Sequence, residues 1–366
     1  MEGIARTGLI ASAMLFCLAA QAQDAAKQTG EDTKSKNATA GNASNTANYH
    51  LIRKVKLGGD GGWDYLSIDS NARRLYIGRS NRVMVVDIDN DKLVGEIAGM
   101  EGVHGITVVP EFKRGFITCG KENLVRVFDL EKLTIESKIP TGTKPDASVY
   151  DPYSKRVFIF NNEGGTATVI DASSAKLAGT IELGGEPESG VADGKGKVFV
   201  NLEDKSKIAV IDTKKLKLSA TWSLAPGEEP TGLAFDSKHR RLFSGCHNKL
   251  MMVLDADTGK IISSEPIGKG VDAAGFDEES QNAFASNGDG TLTVVHESDA
   301  KTFAVAQNVE TQSGARTMAV DSKKHQIWLV SATPKEEAAG EASEAKGGHH
   351  RRQYQPDSFT AIVVGK

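Results

Sequence analysis

Seven residues recur at intervals of 40 to 44 along the chain: Asp64, His104, Asp146, Glu188, Thr231, Asp272 and Arg316. All but Thr231 can carry charge. Four carboxylates, one imidazole and one guanidinium on a common ring could hold a divalent cation through oxygen and imidazole ligands. Arg316 would then balance the charge or grip an anionic ligand with its planar fork. If a metal is held, the expected ligands are Asp146, His104 and Glu188. The preceding column reads Trp63, Val103, Pro145, Pro187, Pro230, Val271, Ala315, and the following one Tyr65, Gly105, Ala147, Ser189, Gly232, Ala273, Thr317. General solvation would charge these neighbours too, so a charged column between neutral ones points to a polar ring. The alternative is that the ring only lines a water-filled tunnel, with Arg316 paired to Asp64 or Asp272.

The column exists because the chain repeats. Each member lies five residues before a position that is Asp69, Asp151, Asp193, Asp236, Asp277 or Asp321, with Val109 standing there in the second unit. A second apolar run follows, as in "RLYIG", "GFITC", "RVFIF", "KVFVN", "RLFSG" and "QIWLV". A third often ends in Asp, as in "VMVVD", "VRVFD", "ATVID", "IAVID" and "MMVLD", and a fourth follows a turn containing Lys. Four β-rich runs per unit of roughly 40–45 residues mark a propeller blade. The expected fold is therefore all-β, a seven-bladed β-propeller of four-stranded blades. The sixth and seventh units carry "LTVVH" and "AIVVG" without the closing Asp, a departure expected to alter local turns only. The seventh unit is one strand short, and "YHLIRKVKLGG" (Tyr49 to Gly59) resembles fourth strands such as "KLAGTIELGG". The N-terminal strand is expected to complete the last blade, which leaves no unpaired inner edge.

With its "VIDT..K" and "RLYI" pieces and its spacing near 40 residues, the chain from Tyr49 to Lys366 resembles the YVTN-type, YncE-like β-propeller proteins of bacterial envelopes. The resemblance implies a propeller serving as a binding scaffold, as a companion of periplasmic redox enzymes or, in some relatives, as a nucleic-acid binder.

The N-terminus supports export. Residues 1–22 combine Arg6, an apolar stretch from Leu9 to Ala19 and the small-x-small triplet Ala20-Gln21-Ala22, the pattern of a cleaved signal peptide. The apolar stretch is shorter than the roughly 20 residues that span a bilayer, so no membrane span is expected, and the periplasm or exterior is the expected location. Residues 23–48 have the composition of a flexible polar tether, and 49–366 form the propeller. Loss of Glu2 and Arg6 with the signal leaves the net charge at −4. A chain without basic excess is poorly suited to neutralising phosphates, which argues against nucleic acid as partner. Cys119 and Cys246, at equivalent places in different repeats, are expected to be buried free thiols.

One segment breaks the repeat. Residues 333–358, "TPKEEAAGEASEAKGGHHRRQYQPDS", lie between the second and third strands of the last blade, where other blades use only a few residues. A lid over the channel mouth would carry His349, His350, Arg351, Arg352 and Tyr354; a surface loop is the alternative. No haem-attachment, Walker, dinucleotide or nucleophile-elbow motif occurs. The leading expectation is a monomeric, non-catalytic propeller binding an unknown protein partner, small ligand or divalent cation at its funnel. A metal-dependent hydrolase or lactonase is the enzymatic alternative, because a cation held by carboxylates can polarise an ester carbonyl.

Overall fold

The computed structural model describes residues 48–335 and 353–366. The expected signal peptide, nearly all of the tether, and His349, His350, Arg351 and Arg352 lie outside the described residues. Seven four-stranded antiparallel sheets follow one another, and their inner strands touch in sequence until Met318–Asp321 meets Trp63–Asp69. The fold is a seven-bladed β-propeller. In the third blade, for example, Pro145–Asp151 lies inside, followed by Arg156–Asn161, Thr166–Asp171 and Lys176–Glu182. The last blade is built as the sequence implies: His50–Lys56 pairs with Thr360–Gly365, from His50 opposite Gly365 to Lys56 opposite Thr360. No helix among the described residues is long and apolar enough to cross a membrane.

The core lies between blades. The third residue of every second strand is aromatic, namely Tyr76, Phe116, Phe158, Phe199, Phe243, Phe284 and Trp328, and each is fully buried. Rings of this size dominate the apolar area a domain hides. Cys119 and Cys246 are free and buried, and burial pushes both thiols up to about 12, which keeps them unreactive.

The recurrent closing Asp makes the turn into the second strand. Asp69 accepts the backbone N–H groups of Asn71 and Ala72 at 2.9 Å, and Asp236 does the same for Lys238 and His239. Such Asx turns deliver the fourth residue into the left-handed region, seen at Arg73 (φ 58°), Arg240 (φ 55°), Gln281 (φ 52°) and His325 (φ 53°). Three of these residues then latch onto the previous blade. Arg73 grips Asp321 with two bonds of 2.8 and 2.7 Å, Arg240 reaches Asp193 at 3.0 Å, and His325 Nδ1 lies 2.9 Å from Asp277.

The sixth blade departs by more than a turn. With His296 in place of the closing Asp, its third strand continues to Asp299, and both Thr291–Asp299 and Thr302–Glu310 run to nine residues. Asp299 then caps the delayed turn by accepting the Lys301 N–H at 2.8 Å.

Candidate functional site

The ring residues sit in a bulge. In the first six blades the pairing of the inner strand slips one step after its first residue: between Trp63 and Leu66, Val103 and Ile106, Pro145 and Ser148, Pro187 and Gly190, Pro230 and Leu233, and Val271 and Ala273. Asp64, His104, Asp146, Glu188, Thr231 and Asp272 all fall inside that slip. A bulge frees its residue from the ladder and re-aims the side chain.

The preceding blade pins two of these bulges, and the ring position of the last blade, by hydrogen bonds. Thr118 Oγ1 donates to the Asp146 carbonyl at 2.5 Å, Asn201 Nδ2 to the Thr231 carbonyl at 3.0 Å, and Ser286 Oγ to the Arg316 carbonyl at 2.5 Å. At Gly78 the approach is by contact, because a Cβ there would meet the His104 carbonyl at 2.5 Å.

The ring then divides into three groups. In the first, Asp64 Oδ2 lies 2.6 Å from His104 Nδ1, and Asp146 Oδ1 lies 3.6 Å from the same nitrogen. One ligand atom from each lies within 4.8 Å of the others. Asp146 is 8% exposed, and its Oδ1 has no hydrogen-bond partner. In the second, Glu188 accepts the Tyr65 hydroxyl at 3.1 Å and the Asn162 amide at 3.2 Å. Of the three metal ligands expected from the sequence, His104 and Asp146 thus meet with Asp64, while Glu188 turns to Tyr65 and Asn162. In the third, Arg316 pairs with Asp272, one of the two partners the sequence offered. Thr231 Oγ1 donates to the Val271 carbonyl at 2.9 Å and ties two blades together. Beneath the ring a cavity of about 80 Å³ is lined by Tyr65, Leu66, Gly105, Ile106, Ala147, Ser148, Ser189 and Gly190.

Tyr65, Asn162 and Lys144 were not singled out from sequence. Tyr65 carried a signal, being the one aromatic in a column of otherwise small residues. Lys144 donates to Asn162 Oδ1 at 3.2 Å and pairs with Glu163 at 3.4 Å. Of the inserted segment, the described ends form a short ladder: Pro334 bridges Tyr354, Lys335 N–H donates to the Gln353 carbonyl at 2.8 Å, and Gln355 N–H donates to that of Thr333 at 2.7 Å. Tyr354 rests on Trp63, ring centres 4.8 Å apart, so the base of the insertion abuts the residue before Asp64.

Electrostatically the first group favours bound protons. Burial, then the Asp64 charge, push Asp146 up to about 6, against the lowering influence of His104, Lys144 and Arg316. Burial opposes charge on His104, but the Asp64 hydrogen bond and the Asp146 and Asp64 charges outweigh it, so its pKa is raised despite Lys144. Burial first, then Asp146, raises Glu188 well above the usual carboxylate range. Burial first, then the Glu188 charge, raises the Tyr65 phenol well above its own ordinary value.

For both Asp146 and His104 the folded state holds its proton more tightly than the unfolded state. Their contribution to stability is therefore fully present on the acid side, below about pH 4 for Asp146 and 6.5 for His104, and is lost as pH rises through the folded values. Ion-free protein is expected to show this falling component in its melting temperature as pH rises from about 4. Asp146→Asn should flatten the pH 4–6 part; a slope identical to the parent's would refute the assignment.

No family model matches the chain. Two curated proteins, each described as uncharacterized protein YncE, one from Salmonella typhi and one from Salmonella typhimurium, are similar to it at 25% identity over 155 residues, 38% of this chain. The chain spans 44% of the length of each. A propeller scaffold with distant similarity to YncE is what fold and comparison together support.

Proposed function

We propose that this chain is an exported binding propeller that takes a divalent cation at its channel mouth on Asp64, His104 and Asp146. One observation carries the reading: Asp146 Oδ1 is buried, accepts no hydrogen bond, and faces His104 Nδ1 at 3.6 Å with Asp64 beside it. A buried carboxylate oxygen without a donor costs free energy that a bound cation would recover. Imidazole with two carboxylates suits zinc, manganese or related ions. The Arg6 to Ala22 pattern supports export, which would bring the funnel into contact with the ions of the envelope.

The test is calorimetric titration of metal-stripped protein with Zn²⁺ and Mn²⁺, followed by metal analysis. Asp146→Ala and His104→Ala are each expected to weaken funnel binding at least tenfold while the protein still melts cooperatively. Unchanged affinity and stoichiometry in both variants would eliminate the funnel as a cation site.

A further inference from the structure

A second cluster lies away from the ring, where the fifth and sixth blades meet at the end of the inner strands marked by the closing Asp residues. We infer that Asp236, His239 and Glu297 form a separate binding site for a divalent transition cation of the zinc class, joining these two blades.

The repeat supplies its own controls for Glu297. Its backbone N–H donates to the Gln281 carbonyl, as Ile88, Leu130, Ala172, Thr213 and Ala256 donate to the corresponding carbonyls in the first five blades. At that place each of the first five blades buries an apolar residue or a threonine. Glu297 is equally hidden, at 2% exposed, and neither of its carboxylate oxygens accepts a hydrogen bond. Burying a carboxylate in a slot that elsewhere holds alanine is costly without a cation.

The cation that the next blade supplies at three of the closing Asp residues is missing here. Asp193, Asp277 and Asp321 each receive an arginine or histidine from the next blade. The residue that would serve Asp236 is Gln281, whose amide nitrogen donates to the Glu278 carbonyl instead. Arg241 is committed to Asp255 at 2.8 Å and to the carbonyls of Ala300 and Arg240.

The ligand atoms already converge. His239 Nδ1 lies 2.9 Å from Glu297 Oε1 and 3.2 Å from Asp236 Oδ2, yet it makes no hydrogen bond. Donors held about 2.0–2.2 Å from one ion sit roughly 3–3.5 Å from each other, so little rearrangement is needed. The two carboxylate side chains and His239 Nδ1 are all buried, while the His239 side chain as a whole is 24% exposed, so its ring is the part of the cluster that reaches solvent. Without an ion, burial and then the Asp236 charge push Glu297 up to about 8; a proton shared with Asp236 is the occupant that a cation would displace.

The experiment uses Zn²⁺ alone, with metal-stripped protein, equilibrium dialysis and thermal melting. Glu297→Ala restores the residue found at Ala172 and Ala256, so it should fold, and His239→Ala changes a partly exposed side chain. Each is expected to lower zinc affinity of this site at least tenfold, to abolish its zinc-dependent rise in melting temperature, and to leave the ion removed by Asp146→Ala in place. Zinc uptake and melting shift equal to the parent's in both variants would overturn the site. So would a parent whose only zinc is the ion that Asp146→Ala removes, the result expected if a shared proton is all that the cluster holds. Loss of funnel binding with retention of this ion would count against the funnel alone.

Discussion

Removing residues 1–57 is expected to destroy cooperative folding of the propeller. The deletion takes His50–Lys56 from the last blade and leaves Thr360–Gly365 as a bare edge. Both neighbours lose contacts as well. Tyr49, 1% exposed, exchanges two bonds with Gln307 of the sixth blade, N–H to Oε1 at 3.0 Å and Nε2 to carbonyl at 2.7 Å. Arg53 holds Asp91 of the first blade at 2.7 Å. Because strand, ring contacts and ion pair go together, the loss should exceed the roughly 4–5 kcal/mol that marks the largest single-residue effects. Circular dichroism melts would check it, and a peptide of residues 48–58 added in trans should restore part of the transition. A truncated protein melting within a few degrees of the parent would mean that ring closure contributes little.

The second large effect is expected at Arg79. Its side chain is fully buried, donating to the carbonyls of Gly62 at 2.9 Å and of Asp60 and Gly61 at 3.0 Å, with the guanidinium 3.6 Å above the Phe359 ring. Burial, then repulsion from Arg82, lower its pKa to about 10. Arg79→Met would strand the loop carbonyls just ahead of Asp64, and breaking a buried charged network of this kind costs about 3–5 kcal/mol. Arg79→Lys should not rescue it, since an ammonium cannot reproduce the planar fork or the stack. Denaturant melts measure the stability, and cation titration should show weaker funnel binding because the loop leads directly into Asp64. A lysine variant within about 1 kcal/mol of the parent would show that the fork is dispensable.

The architecture was legible because seven copies average out local accidents. The closing Asp residues, the aromatic third residue of the second strands and the spare strand at Tyr49 to Gly59 all recur or complement one another in one dimension. Within the site, periodicity found which residues share the ring but not how they pair. Asp64, His104 and Asp146 converge through the bulge and the curvature between blades, and neither is written in the spacing. Glu188 looked equivalent to Asp146 in its column, yet Tyr65, 123 residues away in sequence, claims it. Glu297 was hidden differently: "LTVVH" was visible as a departure, but only the structure shows that the place after it, held by Ile88, Leu130, Ala172, Thr213 and Ala256 in the first five blades, is a buried slot.

The seam in the last blade also determines how the ring would yield to a mechanical load. His50 faces Gly365 across an antiparallel pair, so the two chain ends leave the blade from the same corner. Tension between them would not shear the two strands along their length, a geometry in which all rungs share the force. It would peel them apart from that corner, loading His50 and Gly365 first and Lys56 and Thr360 last. The joint that seals the circle is therefore strong against thermal opening, where every rung acts together, and weak against a pull on its own ends.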